Sequence, residues 1–333
     1  FDVDGNCVDL PSEPPGSTLH RKVRINSYPV VERGAMIWTY LGPRDKKPEF
    51  PDLIWTQIPD DHLYVTRRIQ ESNWLQALEG GFDTGHLAFL HTGTAEQSRR
   101  TVPSEYPYVP VEGGYIFGTG REVKKGETLW AANLMFMPFH KVFATSPEAA
   151  HVWVPIDDDN TMLYSADYWV DHPLSEDDLR RTTDYNGIHT ENIPGTDRAV
   201  QNKNNDYLID RELQASGESY TGMRGLGVQD SAIQESMGTI ADRTNEHLGV
   251  SDTAIIQIRK LLLQSLQDFS EGKEPPGLDS RCYRVRSTRF SLPHGQSFES
   301  EIACQLTQPE TFHFNQMTAP KRKANYAIGR SDR

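Results

Sequence analysis

Apolar and polar residues alternate with a period of two along much of this chain, in two separate blocks. Residues 1–44 predict short strands. Phe1 to Gly5 ends a hairpin, Lys22 to Asn26 forms a strand, and Tyr28 to Tyr40 forms two strands joined near Glu32, Arg33 and Gly34. The second block holds longer runs: His62 to Gln70, Gly114 to Gly118, Thr128 to Met137, His140 to Ala144, His151 to Ile156 and Thr161 to Trp169, with Asp157 to Asn160 as a turn before the last. Helical spacing surrounds this block. Residues 71–91 read as a helix, and Leu174 to Tyr185 as a short one capped by Ser175. Asp206 to Gln214 reads as a further helical piece. Asp252 to Glu271 is a long helix whose stripe is Ala254, Ile255, Ile258, Leu261, Leu262 and Leu266, stopped at Gly272. Residues 92–111 and 216–229 read as loops, and 273–333 lack periodicity. Consecutive strands bordered by helices predict an α+β fold with an antiparallel sheet covered on one face. Pro43, Pro48, Pro51 and Pro59 mark a boundary. The expected organisation is an all-β remnant over 1–45, a linker over 46–60 and a main domain over 61–333.

Composition narrows the partners. A formal charge of −13 and a pI near 5.3 argue against nucleic acid or an anionic membrane, which attract basic surfaces. No apolar run reaches the ~18 residues of a membrane span. Cys7, Cys282 and Cys304 are odd in number and widely spaced, so a reducing cytoplasm is expected rather than a disulfide framework. Lys321 to Lys323 read as a solvated basic tail.

Candidate chemistry is concentrated in residues 71–93, where Asp83, His86 and His91 fall close together. Two imidazoles completed by one carboxylate leave coordination positions open, as in non-haem ferrous oxygenases. On an ideal helix Asp83 and His86 are neighbours, whereas His86 and His91 diverge. They can share a metal only where the helix is distorted or broken, and Gly80, Gly81 and Gly85 weaken it, each by about 1 kcal/mol relative to alanine. Asp83 then suits the role of orienting a histidine through its second ring nitrogen, and the third ligand must come from elsewhere. Spacing alone equally allows an ordinary buried helix built on Leu75, Leu78, Phe82, Phe89 and Leu90.

The string Asn73-Trp-Leu-Gln-Ala-Leu-Glu79, followed by Asp83-x-x-His86-x-x-x-x-His91, resembles the mononuclear-iron motif of Rieske-type aromatic-ring oxygenases of the phthalate dioxygenase-like group. A second block, Gly227 to Gly238 and Asp242 to Asp252, is similar to the segment that supplies the third ligand in that family. The resemblance implies Fe(II) on His86, His91 and Asp230, with Asp83 linking the iron site to a Rieske cluster in a neighbouring subunit. It also implies a helix-grip catalytic domain, an aromatic substrate such as a phthalate-like carboxylate, O2, an NAD(P)H-dependent reductase, and a homotrimer or hexamer. Dihydroxylation, monohydroxylation and O- or N-demethylation all fall within it. The family's Cys-x-His and Cys-x-x-His ligands for the [2Fe-2S] cluster are absent here, and Cys7 with His20 cannot replace them. The chain therefore reads as truncated within its Rieske domain, with the cluster expected only in the complete subunit and no turnover from this portion alone. Trp130, Met135, Phe143 and Trp153 are candidate pocket residues. Arg99, Arg100, Arg121 and Arg224 are candidate carboxylate partners. Glu79, Glu235 and Asp242 are competing carboxylates. A zinc hydrolase using the same histidines and a non-catalytic helix-grip binding module are the alternatives from other classes.

Overall fold

The computed structural model describes residues 1–91, 102–124 and 126–307. Arg99, Arg100 and the 321–323 tail lie outside these residues. Near the start, β1 (Val30–Arg33) and β2 (Met36–Thr39) form an antiparallel ribbon. Its turn uses Gly34 and Ala35, both at φ +56°. Between Phe1 and Asn26 the expected strand pairing is reduced to one bridge, Asn6 to Arg24. Val3 and Ile25 are exposed there, so no apolar face drives a ladder.

The main sheet has eight strands. Its chain order is β3 (Leu63–Gln70), β4 (Tyr108–Val111), β5 (Gly114–Lys124), β6 (Glu127–Phe136), β7 (His140–Phe143), β8 (Glu148–Pro155), β9 (Thr161–Tyr168) and β10 (Thr288–Pro293). The spatial order is β3-β9-β8-β7-β6-β5-β4, with β10 also on β6, and every pairing is antiparallel. β5 takes one edge of β6. β10 and β7 share the other, on Glu127 to Ala132 and on Leu134 to Phe136 respectively.

Seven α-helices accompany the sheet among the described residues: α1 (Trp74–Phe82), α2 (Leu87–Leu90), α3 (Glu176–Thr183), α4 (Arg211–Ser216), α5 (Leu226–Ser236), α6 (Thr253–Ser270) and α7 (Phe298–Thr307). Ser175 caps α3 as expected, in a reciprocal box with Asp178. Ile255 and Ile258 of α6 are buried, but Leu266 projects away from the core, so the predicted stripe packs only over its first half.

Both faces of the sheet are covered, contrary to the one-sided expectation. On one face Trp130, Leu134, Phe136, Val152 and Tyr168 pack with Met36, Leu53, Trp55 and Ile58 from the N-terminal side and with Tyr283, Phe298 and Ile302 from the C-terminal side. A strand apolar on both faces cannot leave either in water. On the other face Phe117, Met135, Trp153 and Leu163 pack under α1 and α6. The tail after 273, which lacks visible periodicity, supplies β10 and α7. No described helix is long and apolar enough to cross a membrane.

Candidate metal centre

The site begins with α1. Asn73 caps it by accepting from the Leu75 N–H, at 3.0 Å, and donates to the Asp158 carbonyl. Ala77, Leu78 and Phe82 anchor the helix on the sheet. Gly80 and Gly81 allow close approach: a Cβ at Gly80 would lie 2.1 Å from Gln234 Nε2, and one at Gly81 2.5 Å from the Trp153 ring. Glu79 accepts from Arg259 and Arg243, tying α1 to α6 and to the turn at Arg243–Asn245.

The helix stops at Asp83, whose Oδ1 accepts from the Gly85 N–H at 2.7 Å. This turn ends the α1 register, and His86 and His91 then flank the single turn α2. Histidines five apart therefore converge. Asp230 comes from α5, which packs against α1, and not from a loop as its surrounding sequence predicts.

Three atoms form a small triangle. His86 Nε2 and His91 Nε2 are 3.3 Å apart, and Asp230 Oδ1 lies 3.4 Å from the first and 3.0 Å from the second. Bonds of about 2.1 Å at right angles to one divalent ion would place such atoms about 3.0 Å apart, and tetrahedral angles about 3.4 Å apart. The donor set thus fits one first-row metal. Among the described residues this is the group of His, Cys, Asp and Glu side chains that could hold an ion.

The outer ring nitrogens are also engaged. Asp83 Oδ2 lies 3.2 Å from His86 Nδ1, and Gln229 Oε1 lies 2.8 Å from His91 Nδ1. Gln229 Nε2 donates to the Met223 carbonyl and to Thr221 Oγ1, which leaves its Oε1 as the acceptor facing His91. Both histidines thereby place their protons on Nδ1 and direct Nε2 lone pairs inward. Gln229 was not singled out from the sequence; its only signal is adjacency to Asp230.

Without a bound ion the cluster holds a proton. Burial opposes charge on His86, but hydrogen bonds to Asp230 and Asp83 outweigh it and push its pKa up to about 9. Burial likewise opposes charge on Asp230, yet the two histidines hold its carboxyl well below the usual range. The competing carboxylates are occupied elsewhere. Glu235 accepts from the Glu71 N–H and the Tyr207 hydroxyl, and Asp242 caps the turn at Arg243–Asn245.

A cleft of about 940 Å³, open to solvent, lies beside the triangle. Phe143 and Trp153 line it as expected. Trp130 belongs instead to the opposite face, against Phe298, and Met135 is buried beneath α1. Arg121 lines the cleft, joined by Arg289 from β10 and by Lys141. Arg224 does not; it is spent on Asn186 and the Asp184 carbonyl. Lys141 is fully enclosed, donates to the Gly81 carbonyl and sits over the Phe82 and Phe143 rings. Burial pushes its pKa down to about 7, against the pull of Asp230 and Asp83.

Two histidines and one carboxylate beside an antiparallel sheet are a donor set that mononuclear non-haem ferrous oxygenases use. The sequence model of the family described as LigXa C-terminal domain like matches residues 39–104 and 134–290. The chain is 31% identical over 332 residues to the 3-chlorobenzoate-3,4-dioxygenase oxygenase subunit of Comamonas testosteroni, covering 90% of this chain and 76% of that one. It is 29% identical over 316 residues to the phthalate 4,5-dioxygenase oxygenase subunit of Pseudomonas putida, covering 87% and 70%. The structure of Pseudomonas putida CBB5 NdmA with caffeine shares the fold, with a TM-score of 0.53 at 18% identity over 90% of this chain and 76% of that one. The chain belongs to the LigXa C-terminal-domain-like family of Rieske-type oxygenase subunits and is an oxidoreductase of that kind.

Proposed function

We propose that His86, His91 and Asp230 hold a ferrous ion and that the cleft beside it takes an aromatic carboxylate for ring hydroxylation. The observation carrying this is the triangle of 3.0 to 3.4 Å edges whose outer nitrogens are already committed. Iron bound there supplies open positions for activating O2 with electrons from a reductase. The protein's own groups do the rest. Asp83 and Gln229 hold the outer ring nitrogens and so orient the imidazoles with Nε2 facing inward. Phe143 and Trp153 provide burial for a flat ring, and Arg121 and Arg289 provide guanidinium forks suited to a carboxylate. Two relatives are named for 3-chlorobenzoate and phthalate, both aryl carboxylates.

In this reading residues 1–45 are the end of a Rieske domain, 46–60 the connection and 61–333 the iron-binding domain. The [2Fe-2S] cluster belongs to the complete subunit. With cluster and iron bound, Asp83 would stand between the two centres of neighbouring subunits, in a homotrimer or a hexamer of such rings, and an NAD(P)H-dependent reductase would supply the electrons. The odd number and wide spacing of Cys7, Cys282 and Cys304 suit a reducing cytoplasm.

The test is metal analysis of the chain together with turnover of the complete subunit and reductase on benzoates and phthalates. The expected result is about one iron per chain, retained zinc-free, and product that depends on the electron donor. Ester or amide hydrolysis needing no donor would reject the assignment.

A further inference from the structure

A row of polar side chains runs across the helix-covered face of the sheet and reaches the cleft floor at Lys141 and His151. Strand register places Lys141 opposite His151, His151 opposite Ser165 and Ser165 opposite Thr66, all on the helix-covered face. Thr66 Oγ1 is 2.6 Å from His189 Nδ1. His189 Nε2 lies 3.4 Å from Asp167 Oδ2, without the alignment of a hydrogen bond. Asp167 is partly exposed, whereas His189, Ser165 and His151 are buried. The row thus runs from solvent at Asp167 to the cleft at His151.

Four atoms in or beside this row, Arg68 Nε, His151 Nε2, Ser165 Oγ and His189 Nε2, are buried and hydrogen-bond to no protein group. They are half of the eight such atoms among the described residues, so the deficit is local. Buried polar atoms are nearly always satisfied, and where protein does not do it ordered water does, typically with about three bonds per molecule. Neighbouring strands are about 4.8 Å apart, a gap that one water bridges between facing polar side chains.

We propose that this row holds a short file of ordered waters and conducts protons from Asp167 and His189, through Thr66 and Ser165, to His151, which lines the cleft that Asp230 also faces. Hydroxyls both donate and accept, and an imidazole can take a proton at one nitrogen while releasing it at the other. Arg68, Lys141, Asp230 and His189 are the charged or titratable groups facing His151. Burial, with Arg68 and Lys141 nearby, lowers the His151 pKa well below the ordinary imidazole value, so it favours passing a proton over storing one. Adding both atoms of O2 across a ring double bond with two electrons takes up two protons. A bound aromatic displaces water from the cleft, so those protons need a route through protein. Their destination rests on the oxygenase reading; the hydrated row does not.

Two measurements separate these. High-resolution diffraction of the metal-free chain should show waters within about 3.2 Å of Ser165 Oγ and Arg68 Nε. In the complete subunit, Thr66→Val should lower product formation about a hundredfold, the low end of what positioned proton transfer contributes, and raise the solvent deuterium isotope effect. Iron content should stay unchanged, Thr66→Ser should restore turnover, and Ser165→Ala should reproduce the defect. A dry row, or Thr66→Val with undiminished turnover and an unaltered isotope effect, would overturn the proposal. Failure of the unmodified chain to bind iron would overturn the function reading, while the water positions would still decide the row.

Discussion

Alternate residues of the same strands face two different environments. On β6, Trp130, Leu134 and Phe136 meet carbon from both ends of the chain, while Asn133 and Ala131 line the cleft. On β7, Val142 joins the apolar core and Lys141 is buried in the cleft wall. One face is dry and supplies cohesion. The other holds Arg68, Lys141, His151 and Ser165, groups whose burial costs stability and is offset by the first. Both faces carry an apolar cluster, but the cleft opens on the second, so substitutions at Phe136 and at the cleft residues should fail differently.

The largest effect belongs to the cleft face. Asp230→Ala should abolish iron retention and lower turnover by at least about a thousandfold; metal analysis and single-turnover assays read both. Its counterpart on the dry face is Phe136→Ala, which should cost about 3–5 kcal/mol in denaturant melts yet leave the folded fraction able to bind iron stoichiometrically. Equal damage to iron binding from both substitutions would erase the contrast.

Charge on the cleft face sharpens it further. Arg289→Ala should raise KM for an aryl carboxylate about tenfold to a hundredfold with kcat nearly unchanged, as expected for losing a hydrogen bond to a charged group, and an uncharged arene should not register the change.

The pH dependence carries a definite sign. The His86 value of about 9 lies above its ordinary 6.5. Its pairing with Asp230 and Asp83 therefore stabilises the metal-free fold fully below pH 6.5, and that contribution is lost as pH rises through about 9. A metal must displace the same proton, so affinity for a divalent probe should climb about tenfold per pH unit up to that point, measured by competition titration. A flat profile would mean that His86 is already neutral. Smallest is the helix cap. Asn73→Ala should cost about 1 kcal/mol without altering iron content.

Much of this was legible beforehand. Alternation located the long strands of the central sheet because side chains on a strand must point to opposite faces. The i, i+3 stripe located most of α6, and Ser175 marked the start of α3. The histidine pair was visible, but the break expected between its members falls before them, at Asp83, and a single helical turn joins the two. Other features escaped. Arg289 sits on a six-residue strand in a stretch without recognisable period, since an exposed-to-buried mixture of Thr, Arg and Phe gives no clear alternation. Gly80 and Gly81 suggested helix weakness, whereas their role is contact with Gln234 and Trp153. Trp130 looked like a pocket residue because alternation says which side chains share a face, not which face holds the cleft.

What the sequence alone determined is local: strand and helix periods, capping residues, glycine weakening of the helix before the histidines, and a donor chemistry suited to a divalent metal. Tertiary structure alone decided which carboxylate closes the triangle, which residue orients His91, which cations share the cleft and which polar atoms are left without partners. Those are contacts between segments more than a hundred residues apart, such as His91 with Gln229 and Thr66 with His189. Periodicity and capping act over a few neighbouring residues, whereas such contacts arise only when separate elements are packed against one core.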